Sequence, residues 1–135
     1  MKKTLLVLLV ALIVVSCNDT SKDINMKVVN LRVNNTDWIE NLDTNGLNRY
    51  YSAHFSMPEI NSLVFNTGSV NSYILINNVQ QALPYVQHYQ NTAGKFWTRT
   101  IDFDYSVGSM NVYVTDSDFA VDPPNAMDFR VVVVW

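Results

Sequence analysis

The sequence has few of the residues that cross-link or interrupt a small domain. Its 135 residues include one cysteine, four glycines and four prolines. A single cysteine excludes an internal disulfide, so a folded domain must be held together by its hydrophobic core. Sixteen aromatic residues (three Trp, seven Tyr and six Phe) make such a core feasible.

Basic residues are also scarce. Nine Lys and Arg residues stand against twelve Asp and Glu residues, which gives a formal net charge of −3. An acidic chain without a basic cluster does not attract phosphate-rich partners. We therefore expect no binding to nucleic acid and no electrostatic binding to anionic lipid.

Only one long hydrophobic run occurs, and it lies at the N-terminus. Lys2 and Lys3 precede eleven apolar residues, 5–15. This run is too short to cross about 30 Å of hydrocarbon, which takes about 20 helical residues. A basic start followed by a short apolar segment is instead the pattern of a secretory signal peptide. We predict that residues 1–16 are this signal peptide.

The end of the apolar run is Val14-Val15-Ser16-Cys17, which resembles the lipobox of bacterial lipoproteins. The resemblance implies cleavage before Cys17 and acylation of its sulfur and its new amino group. Several acyl chains, each worth about 0.8 kcal/mol per buried CH₂, make a stable membrane anchor. We then expect residues 17–25 to form a lipidated polar tether and residues 26–135 the folded domain. A plain signal peptide followed by an incidental free cysteine is the alternative.

The remaining chain has a hydrophobic period of two, which is typical of strands with one buried face. In the clearest example, Trp97, Ile101 and Tyr105 share one face with Arg99, while the intervening residues are mostly polar. Strands are predicted over residues 27–33, 50–56, 69–76, 83–89, 97–105, 109–115 and 129–135.

One segment departs from this period. Ile60, Leu63 and Val64 recur at i, i+3 and i+4, with Pro58 before them and Gly68 after them. Proline suits the first helical position and glycine the residue beyond the helix, so the spacing predicts a short helix with Pro58 at its start. A strand over part of the same segment is the alternative.

Three local features indicate how the strands are arranged. The turn at 106–108 predicts a hairpin, Pro84 directs strand 83–89 to a sheet edge, and 129–135 is apolar on both faces, as in a central strand. About seven short strands and one helix predict an all-β fold, an antiparallel β-sandwich, with a closed barrel as the alternative.

Several short motifs together resemble a family of small, uncharacterised Bacteroidetes lipoproteins of the outer membrane and cell surface. The motifs are Met57-Pro58-Glu59-Ile60, Asn66-Thr67-Gly68-Ser69-Val70, Leu83-Pro84-Tyr85, Tyr105-Ser106-Val107-Gly108 and Phe129-Arg130-Val131-Val132-Val133. Lys22-Asp23 is similar to the lysine-plus-acidic signal that exports such proteins to the outer face. The resemblance implies an outer-membrane lipoprotein displayed at the surface and a β fold, but no activity.

Several stretches of the chain combine aromatic side chains with amides. Trp38, Tyr85, Tyr89 and Trp97 lie in or beside segments rich in Asn and Gln. Aromatic rings stack on the C–H faces of sugars while amides bind their hydroxyl groups, and Tyr and Trp also anchor protein interfaces. These four residues are candidate contacts for a glycan or an envelope protein. In the alternative interpretation, Trp38 and Trp97 are core residues.

An acidic segment offers the second candidate site. Asp116, Asp118 and Asp122 supply the hard oxygen ligands that Ca²⁺ prefers. The spacing lacks the glycine and the terminal glutamate of an EF-hand loop. The alternative is a solvated loop in which these residues stabilise turns.

Catalytic motifs are absent from the sequence. It contains no Gly-x-Ser-x-Gly, no Gly-rich phosphate loop and no His-Glu-x-x-His, so we expect no cofactor and assign no catalytic residue. His54 and His88, or the pair Asp102 and Asp104, would serve a hydrolase only if they converged. We therefore predict a binding or accessory module of the cell envelope rather than an enzyme, with a purely structural component as the alternative.

Overall fold

The computed structural model describes residues 24–119 and 122–135, so the predicted signal peptide, Cys17 and the predicted tether up to residue 23 lie outside the described residues. The described part contains one helix, α1 (Ser62–Thr67), and nine strands. The strands are β1 (Met26–Val33), β2 (Ile39–Leu42), β3 (Arg49–Met57), β4 (Ser69–Ile76), β5 (Val79–Ala82), β6 (Tyr85–Gln90), β7 (Phe96–Ser106), β8 (Gly108–Asp116) and β9 (Met127–Val134).

The strands form two antiparallel sheets. Sheet A has the order β1-β9-β4-β5, and sheet B has the order β2-β3-β8-β7-β6. Neither sheet closes on itself within the described residues, so the predicted all-β sandwich is confirmed and the barrel alternative is wrong. Consecutive strands cross between the sheets after β1, β3, β5 and β8.

The core lies between the central strands of the two sheets. Phe129, Val131 and Val133 of β9 are buried, and so are alternate residues of β8, among them Val112 and Val114. The prediction of a central C-terminal strand is confirmed, because β9 pairs with β1 on one side and β4 on the other. Apolar packing of β-branched residues therefore stabilises this domain, as disulfides stabilise many other small domains.

The structure has two strands, β2 and β5, that the sequence did not predict. β2 and β5 have four residues each, and most of their side chains are exposed. β5 follows a tight turn in which Asn77 and Asn78 both have positive φ, at 51° and 64°. Asparagine tolerates this conformation, which two-residue hairpins require. A short polar strand gives no hydrophobic alternation, so only the Asn-Asn turn marks it.

Other local predictions agree with the structure. β6 begins at Tyr85, directly after Pro84, and forms an edge of sheet B. The hairpin between β7 and β8 turns at Val107, and Gly108 has a φ of 82°. Glycine adopts this backbone conformation without the steric penalty of a β-carbon.

The helix starts later than the position of Pro58 predicts. The Asn61 side chain caps α1 by accepting a hydrogen bond from the Val64 amide at 3.0 Å, whereas Pro58 lies in the preceding turn. The prediction that Pro58 occupies the first helical position is therefore wrong, because the Asn61 side chain caps the helix three residues later. The strand alternative for this segment is also wrong. Within residues 24–119 and 122–135, no helix is long and apolar enough to cross a membrane.

Gly68 is required by close packing rather than by an unusual φ, since its φ is −96°. A β-carbon at this position would collide with the carbonyl oxygen of Val134 and lie 2.9 Å from that of Val64. Because both atoms belong to the backbone, they cannot move aside as a flexible side chain would. Gly68 thus allows the end of α1 to pack directly against the end of β9.

We predict that Gly68→Ala lowers the free energy of unfolding by about 1–3 kcal/mol, the usual cost of overpacking. Urea denaturation followed by circular dichroism measures this change. Asn66→Ala, at an exposed position of the same helix, is the matched control and should change stability by less than about 0.5 kcal/mol. Wild-type stability of Gly68→Ala would contradict the close approach of α1 and β9.

Candidate functional site

The two ends of the sandwich differ in the segments that form them. We call one the helix end: it carries α1, the β7–β8 turn and the start of β1. We call the other the loop end: it carries the turns at 43–48, 77–78 and 91–95 and the connection from β8 to β9. Loops set on a rigid scaffold commonly supply binding residues, so the loop end is the more favourable place for a binding site.

A cleft of about 370 Å³ opens between the two sheets at the loop end. This volume lies in the range of small-ligand sites. Sheet A and its loops contribute Ile74, Ile76, Asn77, Asn125, Met127 and Asp128, and sheet B contributes Gln87, Tyr89, Arg99 and Ile101. The lining therefore combines apolar carbons with amides, a phenol and two charged groups.

The charged group on the sheet B wall of the cleft is Arg99, which is held by Asp116. The two residues are direct partners across β7 and β8. Arg99 Nε donates to Asp116 Oδ1 at 2.7 Å, and Nη2 donates to Oδ2 at 2.7 Å. Their side chains are 16% and 7% exposed. The hydrogen bond to Asp116 raises the pKa of Arg99, so the guanidinium stays protonated and its charge is balanced by the carboxylate it contacts.

An aromatic stack continues the same wall. Tyr89 and Trp97 are direct cross-strand partners, and their rings lie 4.2 Å apart with an interplanar angle of 10°. The Arg99 guanidinium carbon lies 5.5 Å from the Trp97 ring centre, which is within range of a cation–π interaction. Tyr89 Oη donates to Gln87 Oε1 at 2.6 Å, and burial raises the pKa of Tyr89. The wall is therefore ordered before any ligand binds.

The four aromatic residues predicted as ligand contacts have different positions. Tyr89 lines the cleft, whereas Trp97 does not line it and stacks on the Tyr89 ring. Trp38 is a core residue, 7% exposed, and its Nε1 donates to the Asn125 carbonyl at 3.3 Å, so it positions a cleft residue instead of contacting a ligand. Tyr85 pairs with Ile101 at the start of β6 and packs against the core.

Arg99 is the cleft residue that the sequence prediction missed. Its position on the otherwise apolar face of β7 was the available indication, because a charge on a buried face needs a partner. The identity of that partner depends on strand register, which the period of two does not specify. Gln87 and Asn125 were among many similar amides and carried no distinguishing pattern.

The calcium site proposed for Asp116, Asp118 and Asp122 is not supported. Asp116 uses both carboxylate oxygens to bind Arg99. Among the residues that the structure describes, no three His, Cys, Asp or Glu side chains form a group that could hold a metal ion. The Asp116 carboxylate, which was predicted to bind Ca²⁺, binds the Arg99 guanidinium instead.

The outer face of sheet B carries a separate polar network. His54 Nδ1 lies 2.8 Å from Asn111 Oδ1, and Asn111 Nδ2 donates to Asp104 at 2.8 Å. Tyr113 Oη also donates to Asp104, at 2.8 Å. Burial, followed by this hydrogen bond, raises the pKa of Tyr113 to about 12. Within residues 24–119 and 122–135, neither His54 nor His88 contacts a carboxylate.

Beside this network lies a second depression, about 540 Å³ in volume and open to solvent. It is lined by Tyr50, Thr100, Asp102, Tyr113 and Thr115. Tyr50 and Tyr113 have ring centres 6.1 Å apart and are tilted by 59°. Unlike the cleft, this depression lies on one sheet face and does not enclose a ligand between two walls.

We predict that Asp116→Ala lowers the free energy of unfolding by about 2–4 kcal/mol, because Arg99 is left largely buried without its counter-charge. Replacing both residues, as Arg99→Met with Asp116→Leu, should restore most of that loss. The measurement is urea denaturation at neutral pH.

Glu40→Ala is the matched control for Asp116→Ala. It breaks the Glu40–Arg49 pair, whose side chains are 47% and 26% exposed, so the cost should stay below about 1 kcal/mol. Equal losses in Asp116→Ala and Glu40→Ala would contradict a special role for the buried pair.

Comparisons with known proteins assign no role to the cleft. The chain matches no protein-family model, no curated protein and no solved structure. Its function is therefore inferred from the cleft's own side chains, their pairing and their exposure.

Proposed function

We propose that the mature chain is a lipid-anchored binding module of the bacterial cell envelope, and that the cleft binds a neutral sugar unit of an envelope glycan. The observation that carries this proposal is the pairing of both charged residues in the cleft lining. Arg99 is neutralised by Asp116, and Asp128 accepts two hydrogen bonds of 2.8 Å from Arg32. A charged ligand would have to compete with these internal partners.

A sugar ring matches the remaining chemistry of the cleft. Its hydroxyl groups suit the amides of Asn77, Gln87 and Asn125 and the Tyr89 phenol. Its C–H groups suit the apolar carbons of Ile74, Ile76 and Met127, which face the polar wall across the cleft. The lining is about equally polar and apolar, which matches a sugar ring with hydroxyl groups at its edge and C–H groups on its faces. Because the Tyr89–Trp97 stack is already formed, little ordering entropy is lost on binding.

The proposed location follows from the leader sequence. Cleavage before Cys17 and its acylation would leave the domain attached to the outer membrane, and the Lys22-Asp23 motif favours display at the outer face. Both features lie outside the described residues. In this setting the glycan partner belongs to the cell surface or to the medium, and the protein acts by binding and not by catalysis.

A second candidate function is assembly through a strand edge. β1 has eight residues and pairs only with β9, so its other edge is unpaired within sheet A. Met26 and Val28 on β1 are exposed. An unpaired strand of this length can accept a strand from a partner chain. This edge favours an envelope protein as the partner, independently of the cleft.

The glycan proposal is tested with the unlipidated mature chain, Cys17→Ser, on a glycan array and then by calorimetry with the glycan that binds. Tyr89→Ala and Asn125→Ala should each weaken binding about tenfold or more, equivalent to about 1.4 kcal/mol. Tyr50→Ala is the matched control, because Tyr50 is also a sheet B tyrosine but lies outside the cleft. Circular dichroism of each variant checks that the sandwich is retained.

Two results would contradict binding in the cleft. Loss of binding in Tyr50→Ala with retention in Tyr89→Ala would place the site on the outer face of sheet B. Absence of glycan binding, together with concentration-dependent self-association in sedimentation, would favour the assembly function. A Val28→Lys variant that abolishes self-association would then identify β1 as the edge involved.

The membrane location has its own test. In cells, Cys17→Ser should release the protein from the membrane fraction, because no sulfur is left to receive lipid. Fractionation with a detergent that partitions lipoproteins measures this, and mass spectrometry of the N-terminal peptide checks acylation of Cys17. Ser16→Ala, which keeps a small residue before the cleavage site, is the control and should remain in the membrane. Retention of Cys17→Ser would contradict the lipid anchor.

A further inference from the structure

We infer that the helix end of the sandwich rests on the lipid bilayer, with its exposed apolar side chains in the interfacial region. This inference rests on the lipid anchor of the proposed function and adds an orientation to it. The side chains concerned are exposed although they are apolar: Ile24, Met26, Leu63, Phe65, Val107 and Trp135.

These side chains belong to one surface, because backbone contacts join the segments that carry them. Asn25 and Trp135 exchange two hydrogen bonds, of 2.9 and 3.0 Å, so the entry of the chain lies beside Trp135. Gly108 N donates to the Ile60 carbonyl at 2.7 Å, which joins the β7–β8 turn to the segment before α1. Gly68 packs against the end of β9 and joins α1 to the same surface.

The helix α1 contributes two of these side chains and no charge. Only Val64 of the helix is buried, whereas Leu63 and Phe65 are 56% and 47% exposed. The sequence Ser62–Thr67 contains no acidic or basic residue. The Phe65 ring meets the Tyr105 ring edge-on at 6.0 Å, which keeps it in place at the surface. Leu63 and Phe65 flank the buried Val64, and an uncharged helix that exposes two apolar side chains suits a lipid interface better than a charged helix would.

Charge is distributed unequally between the two ends. The segments that form the helix end contain Lys27 and Glu59, which balance each other. The loops of the opposite end contain four acidic residues, Asp37, Asp43, Asp118 and Asp122, and one basic residue, Lys95. An acidic protein near an anionic membrane is repelled least when its carboxylates face away from the surface.

The short tether is the reason to expect lipid, and not another protein, against this surface. Asn25 lies eight residues after Cys17, so the extended tether reaches at most about 29 Å. Because the chain enters the domain at the helix end, the anchor holds that end close to the bilayer. The bilayer is then always present at high effective concentration, whereas a second copy or another protein must first be recruited.

The cleft would then point away from the membrane. β9 runs from Met127, which lines the cleft, to Val134 at the helix end, and its eight residues span about 26 Å. A bilayer in contact with the helix end leaves the loop end free to meet a glycan. In this orientation the anchored end of the domain faces the membrane, and the cleft at the other end faces away from it.

Tryptophan fluorescence tests this orientation with the lipidated mature protein in phosphatidylcholine vesicles. Bromine atoms placed high on the acyl chains quench only indoles at the interface. Trp135 is 37% exposed at the helix end, whereas Trp38 is buried and Trp97 lies at the loop end. We expect quenching of the lipidated protein, complete loss of quenching in Trp135→Phe and unchanged quenching in Trp97→Phe.

A pair of double variants separates the apolar surface from Trp135 itself. Leu63→Ser with Phe65→Ser should reduce the quenching of Trp135 to the level found in vesicles without bromine. Leu47→Ser with Phe96→Ser is the matched control, because both residues are exposed apolar side chains of the loop end. This control should be quenched like the unmodified protein.

Three results would overturn the orientation. They are absence of quenching in the lipidated protein, quenching that survives in the Leu63/Phe65 double variant, and a concentration-dependent dimer that shields Trp135 from lipid. Failure of the protein to float with vesicles would overturn the anchor and the orientation together. Glycan binding is measured in solution with the unlipidated chain, so its outcome is independent of all four results.

Discussion

The structure depends on the packing of two central strands, β8 and β9, whose inward side chains fill the core. Met110, Val112 and Val114 are buried on one side, and alternate residues of β9 from Phe129 to Val133 on the other. No disulfide supplements this contact. Because β9 also links β1 to β4 and runs from the cleft to the helix end, the same packing fixes the geometry of the cleft and of the helix end.

The Arg99–Asp116 pair places two opposite charges at the margin of a largely apolar interior. Burying a guanidinium is unfavourable unless a carboxylate is held in bidentate geometry, and the β7–β8 register places Asp116 directly opposite. Apolar residues at both positions would pack at least as well, so stability alone does not explain the pair. The pair lies in the cleft wall beside the Tyr89–Trp97 stack, where it forms an ordered polar surface in which the two charges balance, as the proposed sugar site requires.

The period of two predicted most of the fold, since β4 agrees with its predicted bounds and β9 was placed centrally. β2 and β5 were missed because four mostly exposed residues produce no alternation. For the site, Tyr89 and Trp97 were identified individually, but their stacking and the Arg99–Asp116 contact depend on strand register. Both contacts lie in hairpins, β6–β7 and β7–β8, whose register is fixed by the exact geometry of their turns, and the turn residues alone did not specify that geometry.

Some of the amide side chains at the loop end are there because the turns require them. Asn77 has positive φ in its turn, and Asn91 Oδ1 accepts hydrogen bonds from Ala93 N and Lys95 N at 3.0 and 2.9 Å. Such residues would be present without any ligand. Gln87 and Asn125 have no comparable turn requirement, and the ion pairs of the cleft serve no turn at all. The neutral pairing of charges is therefore the stronger argument for a sugar site.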